Sequence, residues 1–289
     1  MPELPEVETV CQGLNQLTLS EQILGGDVLL DRTIAHPFLV SDFLANITGI
    51  TIAQWQRRGK YLLAQLKLPP TAETSNPPTS AGWLGIHLRM SGQLLWLDRN
   101  TPLQKHTRVR IFFTNNHELR FVDQRTFGKI WWVPPTTQPA HIITGLKTLG
   151  PEPFAPEFND QYLANKLKNS HRPIKTALLD QTLVAGIGNI YADEALFISQ
   201  ILPTTLCSNL TSPQITRLRS AIIQVLQTAL AAGGTTFSNF INVHGVNGNY
   251  AGIAWVYNRT GQPCHTCHTP ITRLKLAGRS SHFCPQCQT

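Results

Sequence analysis

Hydrophobic and polar positions alternate along this chain with two different periods. The apolar residues near the N-terminus recur at helical spacing, at Val7, Val10, Cys11, Leu14 and Leu17. From there to residue 133 the period is two, with turn residues between the runs, which is typical of β-strands. The predicted strands are 50–56, 61–68, 83–88, 93–97, 108–114, 118–122 and 129–133. This pattern favours an antiparallel β-sandwich or barrel.

The helical period returns in the second half of the chain. Helices are predicted over 159–169, 173–180 and 189–199, and a long helix begins at Ser212-Pro213 and ends at Gly233-Gly234. Residues 150–157 hold three prolines and are interpreted as a linker. Residues 69–82 hold four prolines among polar residues, and we interpret them as a flexible surface insertion.

Composition and charge indicate the size of the protein and the kind of partner that it binds. The chain has 289 residues, 42% of them hydrophobic, which is enough for about two domains. The formal net charge is +7, and no carboxylate follows Glu194, although six Lys and Arg residues do. A polyanion is therefore the expected partner. We expect neither a membrane protein nor a secreted one, because no apolar run is long enough to span a bilayer and the N-terminus is acidic.

Four of the six cysteines form two Cys-x-x-Cys pairs separated by sixteen residues. The pairs are Cys264 with Cys267 and Cys284 with Cys287. This spacing predicts one structural Zn²⁺ held by four thiolates in a reducing compartment, with an iron-sulfur centre or disulfides as alternatives. Residues 273–279 between the pairs predict a β-hairpin that presents basic side chains to DNA, with solvated surface as the alternative.

The chain begins Met1-Pro2-Glu3. Taken alone, Glu3 and Glu6 are more often charges at a helix start than catalytic acids. An initiator methionine before a small residue is normally removed, so we expect Pro2 to carry a free secondary amine. Such an amine can attack an electrophilic sugar carbon and form an iminium, and a neighbouring carboxyl can serve as general acid.

The first residues and several later segments resemble the formamidopyrimidine-DNA glycosylase family. The resemblance covers nearly the whole chain. The matching segments are PELPEVET (2–9), RRGKYL (57–62), IHLRMSG (86–92), KH (105–106), DQRTFG (123–128), LGPEP (149–153), GIGNIYA (186–192), GGTT (233–236) and the cysteine pairs.

The resemblance implies an α+β multidomain fold. Its parts would be an N-terminal antiparallel β-sandwich with flanking helices, a helical helix-two-turn-helix domain and a C-terminal zinc-finger β-hairpin. The predicted boundaries are 1–149 for the catalytic sandwich with the flexible insertion at 69–82, 150–157 for the linker, 158–245 for the helix-two-turn-helix domain, 246–254 for a loop that caps the lesion, and 255–289 for the zinc finger. A monomer in the cytoplasm, associated with the nucleoid, is expected.

The resemblance also implies roles for individual residues. Pro2 would be the nucleophile at the deoxyribose anomeric carbon, and Glu3 would help to open the sugar. Lys60 would contact phosphate and move protons in β-elimination, and Arg279 would clamp DNA and act in δ-elimination. The residues implied to fill the space left by an extruded nucleotide are Met90, Arg125 and Phe127. The other implied DNA contacts are His106, Arg172, Lys175 and Asn189.

Each of these roles has a plainer alternative. By pattern alone Lys60 is an exposed turn lysine, Asn189 is a helix N-cap, and Met90 and Phe127 are core residues. The sequence also departs from the family at Thr126, where many relatives have a second arginine, at residues 170–172, which replace a more lysine-rich stretch, and in the length of 69–82. Arg172 or Lys168 could replace lost phosphate contacts.

The implied function is a DNA base-excision repair enzyme acting on damaged double-stranded DNA. It would excise oxidised purines, such as 8-oxoguanine and formamidopyrimidines, through a Pro2 Schiff base, and nick the abasic strand by β,δ-elimination. One alternative is an endonuclease VIII-like glycosylase for oxidised pyrimidines, and the other is a non-catalytic zinc-finger DNA-binding protein. Leu4-Pro5 and the set Met90, Arg125 and Phe127 favour the enzyme for purines.

Overall fold

The elements of the computed structural model follow the two periods of the sequence. The structure describes residues 1–69, 80–235, 243, 245–246 and 248–289. These residues form two compact units, Met1–Lys147 with Thr235–Gly248, and Thr148–Gly234 with Asn249–Thr289.

The first unit opens with an amphipathic helix, α1 (Leu4–Thr18). Pro5 lies in its first turn, where the missing N–H has no intrahelical acceptor to lose. The helix buries the face that the spacing predicted, through Leu4, Val7, Val10, Cys11 and Leu14. The first turn of α1 is therefore held against the core, and this fixes the position of the residues that precede the helix.

Two β-sheets form the body of the first unit. One sheet consists of β1 (Ile23–Val28), β6 (Gly92–Asp98), β7 (Thr107–Phe113) and β8 (His117–Asp123), in the order β1-β7-β8-β6. The other consists of β2 (Ile34–His36), β3 (Thr51–Arg58), β4 (Tyr61–Lys67), β5 (Ser80–His87) and β9 (Lys129–Val133), in the order β2-β9-β5-β4-β3. Neighbouring strands are antiparallel, apart from the short parallel pair β2 and β9.

Residues from both sheets and from α1 share one hydrophobic core. Leu62 and Ile86 come from the five-stranded sheet, and Ile111 and Phe121 from the four-stranded sheet. Buried and half-buried residues alternate along β7, which is the period of two that predicted this strand. The predicted β-sandwich is confirmed.

Four strands and helices of this unit were not predicted: β1, β2, α2 (Val40–Ile47) and α3 (Pro139–Ile142). β1 contains Gly25-Gly26, and its burial does not alternate, so it gives no period of two. α2 has only eight residues, and Leu39 at its N-cap offers no side-chain acceptor. Short elements held by tertiary packing leave little local signal.

The second unit is mainly helical. After the short α3 (Pro139–Ile142) of the first unit come α4 (Asp160–Leu167), α5 (Ile174–Leu178), α6 (Asn189–Ile198) and α7 (Ser212–Ala231). Asn159 caps α4 by accepting from the Tyr162 N–H at 2.9 Å. A capping box formed by Thr211 and Gln214 starts α7. Each predicted helix is present, and the predicted 173–180 is shortened to five residues.

The C-terminal part of the second unit contains the predicted hairpin. β10 (Thr272–Leu276) pairs antiparallel with β11 (Arg279–Phe283). Before it, Tyr250–Ile253 form a 3-10 turn within the stretch predicted as a capping loop, and Tyr250 is 2% exposed. This half of the predicted loop is therefore anchored in the second unit.

Thr235–Gly248 belongs to the first unit, whereas the predicted helix-two-turn-helix domain extended to residue 245. The Thr235 N–H donates to the Glu6 carboxylate at 2.9 Å, and the Trp96 N–H donates to the Val243 carbonyl at 3.1 Å. These bonds group the segment with the first unit.

Residues 70–79 of the predicted insertion lie outside the described residues. Residues 80–82, also assigned to it, instead begin β5, where Ser80 pairs with Lys67. Within the described part of the chain, no helix is long and apolar enough to cross a membrane.

Candidate active site and zinc site

Glu3 and Glu6 form a capping box at the start of α1. The Glu3 side chain accepts from the backbone of Glu6, and the Glu6 carboxylate accepts from the Glu3 N–H at 2.8 Å. Both carboxylates are buried, at 2% and 1% exposure. The plainer interpretation of Glu3 as a helix-start charge is therefore correct, and it is compatible with catalysis, because the cap fixes a carboxyl directly beside Pro2.

The terminal amine lies in a partly buried setting with charges of both signs. Burial lowers the pKa of the Met1 amine below its ordinary 8.0, the Glu3 and Glu6 carboxylates oppose this, and Lys60 and Arg125 lower the pKa further. An amine with a lowered pKa is neutral, and so nucleophilic, over a wider range of pH. If Met1 is removed, Pro2 carries the terminal nitrogen in this part of the molecule.

Lys60 lies in the two-residue turn between β3 and β4, after Gly59 at φ +56°. It is 6% exposed, so the interpretation as an exposed turn lysine is wrong. Arg57 fixes the turn: its Nε donates to Glu8 of α1 at 2.7 Å, and its Nη1 donates to the Gly59 carbonyl at 3.2 Å. One guanidinium therefore links the helix that follows Pro2 to the turn that carries Lys60.

A pocket of 470 Å³ opens at the N-terminus of the first unit. It is lined by Met1, Pro2, Met90, Ser91, Gly92, Gln93, His106, Val122, Gln124 and Arg125. The pocket brings together Pro2, Met90, His106 and Arg125, four of the predicted site residues. Its volume suits a ligand of the size of a nucleobase with its sugar.

Met90 and Phe127 are not core residues. Met90 is 40% exposed and Phe127 is 51% exposed, although both are large and apolar. The Arg125 guanidinium lies over the Phe127 ring, 5.1 Å from its centroid. Exposed apolar side chains beside a cation are suited to stacking against bases.

Around this loop the structure adds a cation that the sequence interpretation did not consider. The Arg32 guanidinium donates a hydrogen bond to the Thr126 hydroxyl, and the Lys129 ammonium donates to the Arg32 carbonyl. A side chain from another element thus brings an arginine to Thr126, where the sequence departs from the family. Arg172, predicted as a substitute, is instead paired with Asp180 at 2.9 Å.

His87 is a buried residue near the Lys60 turn that the sequence analysis did not single out. It lies in β5 opposite Tyr61, its ring contacts the Tyr61 ring edge-on at 4.4 Å, and its Nδ1 accepts from the Arg89 N–H at 2.9 Å. Burial lowers its pKa to about 3, and the charges of Arg89 and Lys60 add to this effect. Its place inside the segment IHLRMSG (86–92), three residues before Met90, was the available signal.

In the second unit, Asn189 is the first residue of α6 and Gly188 occupies the cap position, so the N-cap interpretation is wrong. The Asn189 side-chain oxygen is buried and has no hydrogen-bond partner. An amide that can turn at the N-terminus of a ten-residue helix can donate to a phosphate.

Lys175 requires a correction. It was expected to bind phosphate through an accessible charge, but it is 1% exposed. Its ammonium pairs with Asp193 of α6 and donates to the Ser280 carbonyl of β11 at 3.0 Å. Asp193 also accepts from the His282 N–H at 3.0 Å. In this structure Lys175 therefore holds α5, α6 and β11 together, because an enclosed ammonium needs these acceptors.

Arg279 is exposed and opens β11, directly after the turn at Ala277 and Gly278. Within the described residues it forms no ion pair. Arg273, by contrast, donates to the Ser280 hydroxyl across the hairpin at 3.0 Å. The two arginines of the hairpin therefore differ: the side chain of Arg273 is bonded across it, and that of Arg279 is exposed.

The four paired cysteines converge on one point. Their sulfur atoms lie within 4.8 Å of one another, and the six cysteines of the chain are all free thiols. Sulfurs of a tetrahedral zinc site, with Zn–S distances of about 2.3 Å, are about 3.8 Å apart. Here Cys264 and Cys287 are 3.9 Å apart, and Cys267 and Cys284 are 3.4 Å apart. The geometry fits Zn²⁺ and excludes the disulfide alternative in this structure.

Glu194, the last carboxylate in the sequence, was not assigned a role. It is buried in α6, and its oxygens accept from three consecutive N–H groups, those of Trp255, Val256 and Tyr257, at 2.8 to 2.9 Å. The Tyr250 hydroxyl donates to it at 3.1 Å. Burial raises the pKa of this carboxyl against the effect of these bonds. Glu194 fixes the backbone that leads into the cysteine pairs.

Three family models match the chain. They describe the formamidopyrimidine-DNA glycosylase N-terminal domain over residues 1–130, the H2TH domain of the same family over 149–240, and a zinc finger found in FPG and IleRS over 261–289. The chain belongs to the formamidopyrimidine-DNA glycosylase family. Membership of this family confirms the resemblance and identifies the four-cysteine cluster as its structural zinc site.

Two formamidopyrimidine-DNA glycosylases are similar to this chain over nearly their full length. That of Nostoc sp. is 67% identical over 288 residues and covers 100% of both chains. That of Nostoc punctiforme is 66% identical over 289 residues, 100% of this chain and 96% of the relative.

Solved structures of the Lactococcus lactis relative share the fold. A variant in complex with DNA containing Fapy-dG is 33% identical, covers 100% of both chains and superposes with a TM-score of 0.88. The wild-type relative in complex with DNA containing an oxidised pyrimidine is 33% identical over 100% of both chains, with a TM-score of 0.87. The α+β fold with its helical and zinc-finger parts is confirmed.

Proposed function

We propose that this chain is a bifunctional DNA repair enzyme that removes oxidised purines, including formamidopyrimidines, from duplex DNA and then nicks the abasic strand. The observation that carries the proposal is the pocket at Pro2, with the Glu3 carboxyl capped beside it, in a chain of the formamidopyrimidine-DNA glycosylase family. The established fold explains how one chain holds both a nucleophile and DNA-contacting elements.

In the proposed reaction the Pro2 nitrogen, freed by removal of Met1, attacks C1′ of the deoxyribose. The bond from C1′ to the base breaks, and the departing base takes up the proton that the Pro2 nitrogen loses. The sugar ring then opens with a proton delivered to its ring oxygen through Glu3, and an iminium links Pro2 to C1′. The iminium acidifies C2′. Loss of the C2′ proton expels the 3′ phosphate, and a second elimination expels the 5′ phosphate. Lys60 assists these proton transfers from its turn, and Arg279 assists the second elimination.

Base removal from a duplex leaves a gap in the stack, which Met90, Arg125 and Phe127 would fill. Their exposure and the contact between Arg125 and Phe127 support this role. The remaining DNA contacts are assigned to His106, Asn189 and Arg279. Arg172 and Lys175 have protein partners in this structure, and they would have to leave these partners to reach DNA.

The predicted domain scheme is part of the proposal: a catalytic sandwich, a linker, a helix-two-turn-helix domain, a capping loop and a zinc finger. Zn²⁺ bound by the four thiolates would supply folding energy to the last of these. We also propose a cytoplasmic, nucleoid-associated monomer, since free thiols and a zinc-thiolate site require reducing conditions.

A preference for oxidised pyrimidines is the second candidate. A structure of the Lactococcus lactis relative is a complex with DNA containing an oxidised pyrimidine. Parallel single-turnover excision from duplexes with 8-oxoguanine, a formamidopyrimidine or an oxidised pyrimidine separates the two preferences. Faster excision of the pyrimidine would reverse the proposed substrate order.

The test of the mechanism is borohydride trapping followed by mass spectrometry. We expect the adduct on Pro2, and no trapping by a chain that retains Met1 or carries a short N-terminal extension. Glu3→Gln should slow base removal more than cleavage of a preformed abasic site, because that site has already lost its base. An adduct on Lys60 or another lysine would overturn the mechanism.

A further inference from the structure

Two separate loops present the side chains that would fill the gap in the duplex. Met90 lies between β5 and β6, whereas Arg125 and Phe127 lie between β8 and β9. All three side chains are exposed, so packing within the protein does not fix their spacing. A wedge built from two loops needs a connection between them, because a displacement of about 1 Å can cost about a hundredfold in rate.

Asp123, at the end of β8, makes that connection. Its side chain is buried, at 1% exposure. Oδ1 accepts from the Ser91 hydroxyl at 2.5 Å and from the Arg125 N–H at 3.2 Å, and Oδ2 accepts from the Gly128 N–H at 2.7 Å. The Ser91 oxygen in turn accepts from the Arg125 N–H at 2.9 Å. One carboxylate therefore holds the residue after Met90 and both ends of the segment that carries Arg125 and Phe127.

The backbone of Asp123 extends the connection to a third pocket residue. The Asp123 N–H donates to the His106 carbonyl at 2.9 Å, and its carbonyl accepts from Arg108 Nε at 2.8 Å. Arg108 also donates to His106 Nδ1 at 3.2 Å. His106, Met90 and Arg125 all line the same pocket. His106 and Arg125 are hydrogen-bonded to Asp123 directly, and Met90 is connected to it through the hydroxyl of the neighbouring Ser91.

We propose that Asp123 is a positioning residue that makes the Met90 turn, the Arg125–Phe127 loop and His106 act as one rigid wedge. The inference rests on the proposed function, because it assumes that these residues enter the DNA. Asp123 itself is buried under them and does not reach the substrate. Its effect should appear in the step that extrudes the base and fills the gap, and not in the bond-breaking at Pro2.

Both oxygens of the Asp123 carboxylate act as acceptors, since all three of its donors are N–H or O–H groups. In Asp123→Asn one acceptor becomes an NH₂ group, which faces the Ser91 hydroxyl or the Gly128 N–H and leaves a donor without an acceptor. Ser91→Ala removes both side-chain links from the Met90 turn to the other loop. It is milder because the Arg125 and Gly128 N–H groups keep Asp123 as their acceptor, so no buried donor is left unpaired.

The experiment compares two substrates in both variants. A duplex with a formamidopyrimidine lesion and a neighbouring 2-aminopurine reports unstacking and excision. A single-stranded abasic oligonucleotide has no stack to refill and reports the lyase chemistry alone. Asp123→Asn should slow the 2-aminopurine change and duplex excision by about tenfold or more, with single-strand cleavage within about threefold of wild type. Ser91→Ala should show the same pattern with a smaller loss.

A matched control is Thr18→Val. Thr18 is fully buried in the same unit and accepts from Trp55 Nε1 at 2.9 Å, but it contacts none of the wedge residues. It should reduce stability without changing the ratio of the two activities. Equal losses on both substrates in Ser91→Ala, or an unchanged 2-aminopurine signal with full duplex excision in Asp123→Asn, would overturn the proposal. Absence of excision by the wild-type chain would instead overturn the proposed function.

Discussion

Lys60 and Arg279, two cations proposed to contact DNA, lie in or directly after a two-residue hairpin turn. The two turns are supported in different ways. The β3–β4 turn holds Lys60 on a five-stranded sheet, where β4 is buried at five of seven positions. The β10–β11 turn precedes Arg279 on a two-stranded sheet, where all of β10 is at least partly exposed. Similar turns are thus built on a hydrophobic core in one case and next to a four-thiolate cluster in the other.

The difference follows from how much apolar surface each segment can bury. The core under β3 and β4 collects residues from two sheets and two helices. The cluster under the second hairpin has five buried members, two of them the cysteines Cys264 and Cys284. A segment with so few apolar residues needs a metal to remain folded. Removing the metal should therefore destabilise the β10–β11 turn and leave the β3–β4 turn folded.

The largest effect is expected from loss of the zinc site. Cys284→Ser should weaken DNA binding by about a hundredfold or more, because the hairpin that holds Arg279 loses its support, while the first unit still melts cooperatively. Binding titrations, metal analysis and thermal unfolding measure these outcomes. The control is Cys207→Ser, which alters a buried thiol outside the cluster. Normal DNA binding by a zinc-free chain would contradict the comparison.

The core under the first turn should in turn be sensitive to acid. The pKa of His87 is 6.5 in the unfolded chain and about 3 when folded. Between pH 6.5 and pH 3 the unfolded chain binds this proton and the folded chain does not. The free energy of unfolding is therefore unaffected by protonation of His87 above pH 6.5, and it decreases as the pH falls from 6.5 towards 3. At pH 5 the loss should be about 2 kcal/mol.

Urea denaturation at pH 7 and pH 5 measures this loss, with His87→Asn as the variant that does not titrate. The variant should lose less stability than the wild type over this interval. If both lose the same amount, acid sensitivity has another source.

A smaller effect is expected from the glycines of the two turns. Gly59 has φ +56° and Gly278 has φ +78°, so alanine at either position should cost about 1 kcal/mol of backbone strain. Gly59→Ala should lower the melting temperature of the first unit. Gly278→Ala should leave it unchanged and weaken DNA binding a few-fold. Differential scanning calorimetry and binding titrations measure these two effects. Equal losses of first-unit stability in both variants would contradict the prediction.

The smallest effect is expected when residues 70–79 are replaced by a tight turn. Lys67 and Ser80 are paired across β4 and β5, so a short connection can join them, and closure entropy changes little with loop length. Single-turnover excision should stay within about threefold of wild type. A hundredfold loss would show that these residues take part in binding DNA.

Sequence reasoning recovered the elements with strong local signals. The period of two located β3 to β9, the spacing of apolar residues located α1 and α7, and the cysteine spacing located the metal site. It missed β1, which has two glycines and no alternation, and α2, which has no cap. These elements depend on tertiary contacts, which a local pattern does not contain.

For the site, the motifs identified positions but not environments. The residues around Lys60 and Arg125 matched a family pattern, yet the burial of Lys175 against Asp193 has no sequence signal, because a lysine before a helix is usually exposed. The roles of Asp123 and Glu194 could not be predicted from the sequence either. Each accepts hydrogen bonds from backbone N–H groups, and every residue type except proline has an N–H to donate.

The bonds of Glu194 also set an order of events during synthesis. Its three N–H partners lie 61, 62 and 63 residues further along the chain. At about 5–20 residues per second, they leave the ribosome about 3–12 seconds after α6 does. For that interval the carboxylate must remain hydrated, and Phe197 of α6 has not yet met Val256 and Ile271, with which it later forms a buried cluster. The nascent chain is then most exposed to aggregation, although its catalytic sandwich has already been synthesised.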